Sequence, residues 1–295
     1  MTSVWIEYIA TMQGITIIPP PPHLRKHVRN FWYAGPSTHQ QNFKILADGT
    51  PGIIFQHKHG HSGVTWQDVY TLPVAFAYGQ ATAPGINIME AGTSCFGVHF
   101  RPHVWKELFR MDASEVTNTA VQLDILPGFG ITEKLLNTPD PLQITKLLSD
   151  CLWNNLNHHQ KEDAIIAHSV QEIASQIATV HAKDLPARYN LSQRQFQRRF
   201  QQHMGVSPET YIRILKFQQA LQAINHRSFT KLSDIAYDLA FADQSHFIRE
   251  FKFFSGYTPK ELLQQQSPVA VDSRSALPNV GHVSMPATRF LICPQ

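Results

Sequence analysis

Two short segments hold most of the side chains able to do chemistry: SQRQFQRRF, from Ser192 to Phe200, and DQSHFIREF, from Asp243 to Phe251. Each starts with a residue suited to capping a helix. Each repeats Phe at the same two later positions and puts Arg two residues before the second Phe. Gly-x-[Ser/Thr]-Pro follows in both, as Gly205 to Pro208 and Gly256 to Pro259. Four-residue spacing places Phe196 with Phe200, and Phe247 with Phe251, on one helical face. The opposite face carries Arg194, Gln197 and Arg198 in the first copy and Gln244, Ser245, His246 and Arg249 in the second. Arg forks onto guanine O6 and N7, and Gln onto adenine N6 and N7. The chemistry on offer is hydrogen bonding to bases and phosphates along two neighbouring stretches of double-stranded DNA.

The elements that must position these groups are helical from Ala164 onward. Ile165, Ile166, Val170, Ile173, Ile177 and Val180 keep helical spacing. A short helix is expected over 183–189. Ser192 with Gln195 makes a capping box, and Gly205 stops that helix. Ser207 caps the next, with Pro208 in its first turn. Its stripe of Tyr211, Ile214, Leu215, Phe217, Leu221 and Ile224 marks one long helix. Residues 232–239, 243–254 and 258–263 repeat the programme, with Thr258 and Glu261 as a second capping box. The copies align 51 residues apart at Phe196/Phe247 and Gly205/Gly256, and 50 apart upstream at Pro186/Ala236 and Leu191/Phe241. Short helix, tight turn and longer helix is a helix-turn-helix, and here it occurs twice.

From Ala164 to Gln266 the chain resembles the DNA-binding domain of the AraC/XylS family of bacterial transcriptional regulators. The most specific string is IAYDLAFADQSHFIREFKFFSGYTPKEL, from Ile235 to Leu262. The resemblance implies a non-enzymatic transcriptional regulator that needs no cofactor, with RNA polymerase as a candidate partner. Activation is the working class, although sequence does not separate it from repression; the cysteine usage fits the cytoplasm. The resemblance also implies that the seven polar residues above face the groove, with His246 and Arg249 on phosphate or in local packing as the alternative. Two departures stand out. The turns hold Asn190 and Ala240 where the family has Gly, at a position that requires positive φ. Pro186, replacing a usual Ala, fits only in a first helical turn.

The stretches PPPPHLRKHVRNFWY, ILADGTPGIIF and FGVHFRPHVWKELF resemble the N-terminal domain of an uncharacterised branch of that family. The resemblance implies sensing of a small-molecule effector, formation of a homodimer, or both. Asn42 to Ile54 reads as strand, turn and strand about Asp48-Gly49. Val64 to Phe76 and Ile86 to Phe100 add β-type stretches. Val104 to Arg110 reads as helix, and Asp140-Pro141 opens another, running to about Asn155. Trp32, Phe55, Trp66 and Tyr78, with Tyr33, Tyr70 and Phe76, are candidates for an effector pocket, or simply for the core.

His57, His59 and His61 would share one face if the strand from Ile53 continued, giving a divalent-metal site and a cupin-like enzyme as an alternative. The glycines Gly60 and Gly63 favour a turn instead, so no metal is expected. Cys95, Cys151 and Cys293 are odd in number and scattered, which argues against a disulfide framework or a zinc site. A cysteine-based alkyl-transfer activity is excluded with them.

The expected fold class is α+β. It combines an N-terminal mixed α/β domain holding a β-barrel-like sheet with a C-terminal all-α domain of two helix-turn-helix motifs joined by a long helix. The expected divisions are an effector-sensing or dimerising domain over 1–155, a linker over 156–163, the DNA-binding domain over 164–266 and a tail over 267–295. The tail's RFLICP is expected to add a strand to the first domain or to lie without structure. A length of 295 residues suits two cores, and 43% hydrophobic residues suits folded domains. The whole formal charge excess of +3 falls between residues 161 and 266, where Arg194, Arg198 and Arg199 cluster. No apolar run is long enough to span a bilayer, and the stretch MTSVWIEYIATMQG lacks the basic start and apolar core expected of a signal peptide.

Overall fold

A computed structural model describes residues 15–66, 69–157, 162–264 and 270–271. The N-terminal region is built from strands: β1 Ile15–Ile18, β2 Val28–Ala34, β3 Gln41–Ile45, β4 Gly52–His57, β5 Val64–Trp66, β6 Tyr70–Thr71, β7 Ala75–Tyr78, β8 Gly85–Met89, β9 Ser94–Phe100 and β10 Ala120–Gln122. They form two open sheets. The larger runs β1-β2-β9-β4-β7-β10. The smaller adds β11, Ala270–Val271, and runs β11-β3-β8-β5-β6. The barrel-like expectation is thus met only loosely, because neither sheet closes on itself.

Three helices complete this region: α1 Trp105–Phe109, α2 Thr132–Leu136 and α3 Pro141–Asn157. They cover the large sheet over a core that includes Phe31, Phe96, Phe100, Trp105, Phe129 and Leu152, all fully buried. The α3 helix runs past the expected end near Asn155. A smaller cluster, with Val64, Phe76, Met89 and Cys95 buried and Trp32, Trp66 and Tyr78 packed against them, fills the space between the sheets.

The strand-turn-strand expected over 42–54 is present, but its strands do not pair with each other. The β3 strand pairs with β8, whereas β4 pairs with β7 and β9 in the other sheet. The intervening loop, residues 46–51, therefore crosses between sheets instead of closing a hairpin.

The C-terminal region is helical: α4 Ala164–Ser175, α5 Leu185–Arg188, α6 Gln193–Met204, α7 Pro208–Asn225, α8 Leu232–Asp238, α9 Gln244–Ser255 and α10 Pro259–Gln264. One core gathers Phe196, Phe200 and Met204 with α4; the other gathers Phe247, Phe251 and Phe254 with α8. The α7 helix belongs to both, giving Tyr211 and Ile212 to the first and Ile214, Phe217 and Leu221 to the second. Its 18 residues make a rod of about 27 Å. From the tail, Ala270–Val271 pairs with β3. The RFLICP ending, Cys293, His158 and His159 lie outside the described residues. Among the described residues, no helix is long and apolar enough to cross a membrane.

Candidate nucleic-acid interface

Both helix-turn-helix units end their first helix the same way. Leu191 N–H donates to Pro186 O at 3.0 Å, and Phe241 N–H donates to Ala236 O at 2.9 Å. Asn190 and Ala240 donate in turn to Ala187 O at 3.3 Å and Tyr237 O at 2.9 Å. These are Schellman closures, and the residues they join in one copy are those that the 50-residue offset aligns with the residues joined in the other. The closing residue is left-handed in each, with φ 53 at Asn190 and φ 48 at Ala240. Asn tolerates this region, while Ala does so at a cost of about 1–2 kcal/mol. In the second unit Lys216 Nζ donates to Ala240 O at 3.0 Å, satisfying a carbonyl at that helix end. Pro186 sits in the first turn of α5, where its missing N–H breaks no bond.

The two longer helices start on side-chain caps. Gln195 N–H donates to Ser192 Oγ at 3.3 Å, and Ser192 N–H donates back to Gln195 Oε1 at 3.0 Å. His246 N–H donates to Asp243 Oδ1 at 2.6 Å. Left-handed Gly205 (φ 77) and Gly256 (φ 76) close the far ends. Phe196, Phe200, Phe247 and Phe251 are buried, so each helix is pinned by its Phe pair. Tyr189 stacks on Phe196 at 5.9 Å, and Phe217 meets Phe251 edge-on at 5.2 Å.

With the Phe pairs inward, the opposite side is turned out. Arg194 and Arg198 are exposed and Gln197 is half-buried on α6; Gln244, Ser245 and Arg249 are exposed on α9. Among the described residues no carboxylate pairs with Arg194, Arg198 or Arg249. His246 differs: half-buried, it accepts from Ala242 N–H at Nδ1 over 3.3 Å and stands edge-on to Phe241 at 5.6 Å. Its Nδ1 is thus engaged by the turn.

Three other arginines near these helices have structural duties. Arg199 forks onto Asp163, with Nε to Oδ2 at 3.0 Å and Nη2 to Oδ1 at 2.9 Å. Asp163 is also the N-cap of α4. Arg199 therefore leaves the basic cluster that the sequence suggested, and its charge is neutralised locally. Arg188 pairs with Glu172, which also accepts from the Tyr189 hydroxyl at 2.8 Å. Desolvation, with Glu172 alongside, pushes that phenol up to about 12. Arg213 clamps Glu250 with bonds of 2.6 and 3.0 Å, tying α7 to α9.

The N-terminal candidates fare less well as a site. Phe55 belongs to the main core, whereas Trp32, Trp66 and Tyr78 belong to the cluster between the sheets. The four do not converge on one space. Phe55 does line a cavity with Tyr33, His57, Cys95 and Ile144, but its volume is only about 30 Å³, room for roughly one water. The histidine triplet fails as a face. Lys58 and His61 form a bridge around a turn whose tip is His59 (φ 51) and Gly60 (φ 86), so the strand ends at His57. Among the described residues no three His, Cys, Asp or Glu side chains come together as a metal site.

Sequence reasoning missed one set of residues altogether. Leu46, Ala47 and Gln218 join the N-terminal region to the second helix-turn-helix core. The signal was present in the uninterrupted apolar start of LADGT, which reads as a turn only if no second region packs against it.

Two family models match the chain: a helix-turn-helix domain over residues 185–265, and a domain of unknown function (DUF6597) over residues 16–122. The HTH-type transcriptional activator RhaS of Escherichia fergusonii is 29% identical over 110 residues, covering 37% of this chain and 39% of that protein. RhaS of Enterobacter sp. (strain 638) is 32% identical over 76 residues, covering 26% of this chain and 27% of that protein. The chain thus spans two fifths or less of the length of these curated relatives. Fatty-acid-bound ToxT of Vibrio cholerae strain SCE256 aligns with a TM-score of 0.43 and 13% identity, over 88% of this chain and 98% of that one.

Proposed function

We propose that this chain is a sequence-specific regulator of transcription of the AraC/XylS type, a reading supported by the match of residues 185–265 to a helix-turn-helix domain. In this proposal α6 and α9 enter two successive major-groove segments of one double-stranded site. Arg194, Gln197 and Arg198 read bases in the first segment; Gln244, Ser245 and Arg249 contact bases or phosphates in the second. His246 orients the second turn instead of touching DNA. The observation that carries the proposal is the pair of outward polar faces, each fixed by a buried Phe pair and a left-handed turn.

The same proposal places the boundary between the two regions at 156–163 and assigns activation, in keeping with the relatives' printed name, with RNA polymerase as partner and the cytoplasm as location. The N-terminal region acts by docking, by forming a homodimer, or by holding a small-molecule effector elsewhere than in the cavity beside Phe55. The cavity beside Phe55 is far below the several hundred Å³ that drug-sized ligands occupy.

Mobility shift of the full chain on its own upstream DNA, titrated with salt, tests the core of this. Specific binding should weaken steeply between ~50 and ~200 mM salt as phosphate contacts release counterions. Binding indifferent to both sequence and salt would refute it.

A further inference from the structure

The N-terminal region touches both helix-turn-helix units at once. On the second unit, Leu46 and Ala47, 4% and 0% exposed, sit in a core otherwise made of α7 to α10. Gln218 of α7 is buried and donates through Nε2 to Ala47 O. Gly49 is left-handed (φ 71), and a Cβ there would lie 3.1 Å from the Tyr211 ring, also on α7. Lys44 stacks its ammonium 3.9 Å from the centre of Tyr257, the residue after the α9 cap. On the first unit, Thr117 Oγ1 donates to Gly205 O at 2.6 Å, at the C-terminal end of α6.

The loop itself is braced from its own side. Thr50 N–H donates to Asp48 Oδ1 at 3.0 Å, and the buried Gln80 donates to Gly49 O at 3.1 Å. A loop braced at Asp48 to Thr50, and buried through Leu46 and Ala47 in a partner's core, transmits position. The element it grips, α7, is the rod joining the two candidate reading helices. We propose that the Leu46–Thr50 loop is a docking key that fixes α7, and so sets the spacing between DNA segments that the full chain accepts. The residues that determine this specificity, Leu46, Ala47, Gly49 and Gln218, touch no DNA. This inference rests on the DNA-binding function proposed above.

The test is binding-site selection with full-length chain on DNA libraries whose two half-sites are separated by variable spacers. Wild type should prefer one spacing over a half-turn shift by at least about tenfold. Leu46→Ala and Gln218→Ala should each broaden that preference several-fold while keeping wild-type affinity for an isolated half-site. Retained half-site affinity shows that the variant folds, which separates a lost key from a lost protein. Should Leu46→Ala fail to fold, Gln218→Ala alone decides, since it removes one hydrogen bond and no loop residue. An unchanged spacing preference in folded variants overturns the docking key. Failure of wild type to bind any half-site overturns the DNA-binding function instead.

Discussion

At the residue scale, the outward arginines are the groups with duties left over. Arg188, Arg199 and Arg213 each hold a carboxylate within the fold, while Arg194, Arg198 and Arg249 are exposed. Arg194→Ala and Arg249→Ala should each weaken specific DNA binding by ~1–3 kcal/mol if they read bases. The melting temperature should hardly move, which fluorescence anisotropy paired with thermal melts would establish. Arg199→Ala should behave oppositely, lowering stability first, because it leaves Asp163 without its bidentate partner. Ala240→Gly should raise stability by up to about 1 kcal/mol, since glycine takes φ 48 without steric cost. A melting point lower than wild type would show that Lys216 and the turn already compensate fully.

At the element scale, the helices and the β-type stretches were legible from sequence, and the pairing of the strands was not. The Phe pairs, caps and left-handed turn positions are local, and a helix states them within a few residues. The positive φ at Asn190 and Ala240 was expected from the family resemblance, which has Gly at these turns, and is present. Sheet membership is decided by partners distant in sequence, so the LADGT turn looked like a hairpin until β3 and β4 proved to lie in different sheets. Nor did spacing show that Arg199 would turn to Asp163, a contact between residues 36 apart.

Buried titratable groups in these elements give the fold a pH signature. Desolvation pushes the Asp48 carboxyl up from 3.8 to about 7, opposed by the Thr50 N–H. Its raised pKa means the folded state binds the extra proton, so stability is greatest below 3.8 and falls as pH rises towards 7. Asp48→Asn keeps an oxygen for Thr50 and should stabilise the chain above pH 7, by an amount on the order of 3 kcal/mol, with little effect near pH 4. His103 is lowered from 6.5 to about 4, chiefly by burial, with Glu162 opposing. Its contribution is present above 6.5 and fades as pH falls to 4. Thermal melts across pH 4–8 would check both limbs, and parallel pH profiles for Asp48→Asn and wild type would contradict the first.

At the scale of the whole molecule, one rod is shared by two cores, and one loop from the other region grips that rod. Such a chain presents two reading surfaces whose relation is set by packing, without needing a second copy. Charge alone would never have suggested this, since an excess of +3 is modest. The proposed division of labour gives DNA contact to the C-terminal third and, to the N-terminal region, control over how the two contacts are spaced. Hydroxyl-radical and methylation footprinting of the full chain on a selected site tests this most directly. The account predicts two protected major-groove segments on one face of the duplex, about 34 Å apart. It also predicts that Arg194→Ala combined with Arg198→Ala removes only one of them. A single protected segment, or loss of both together in that folded variant, would contradict it.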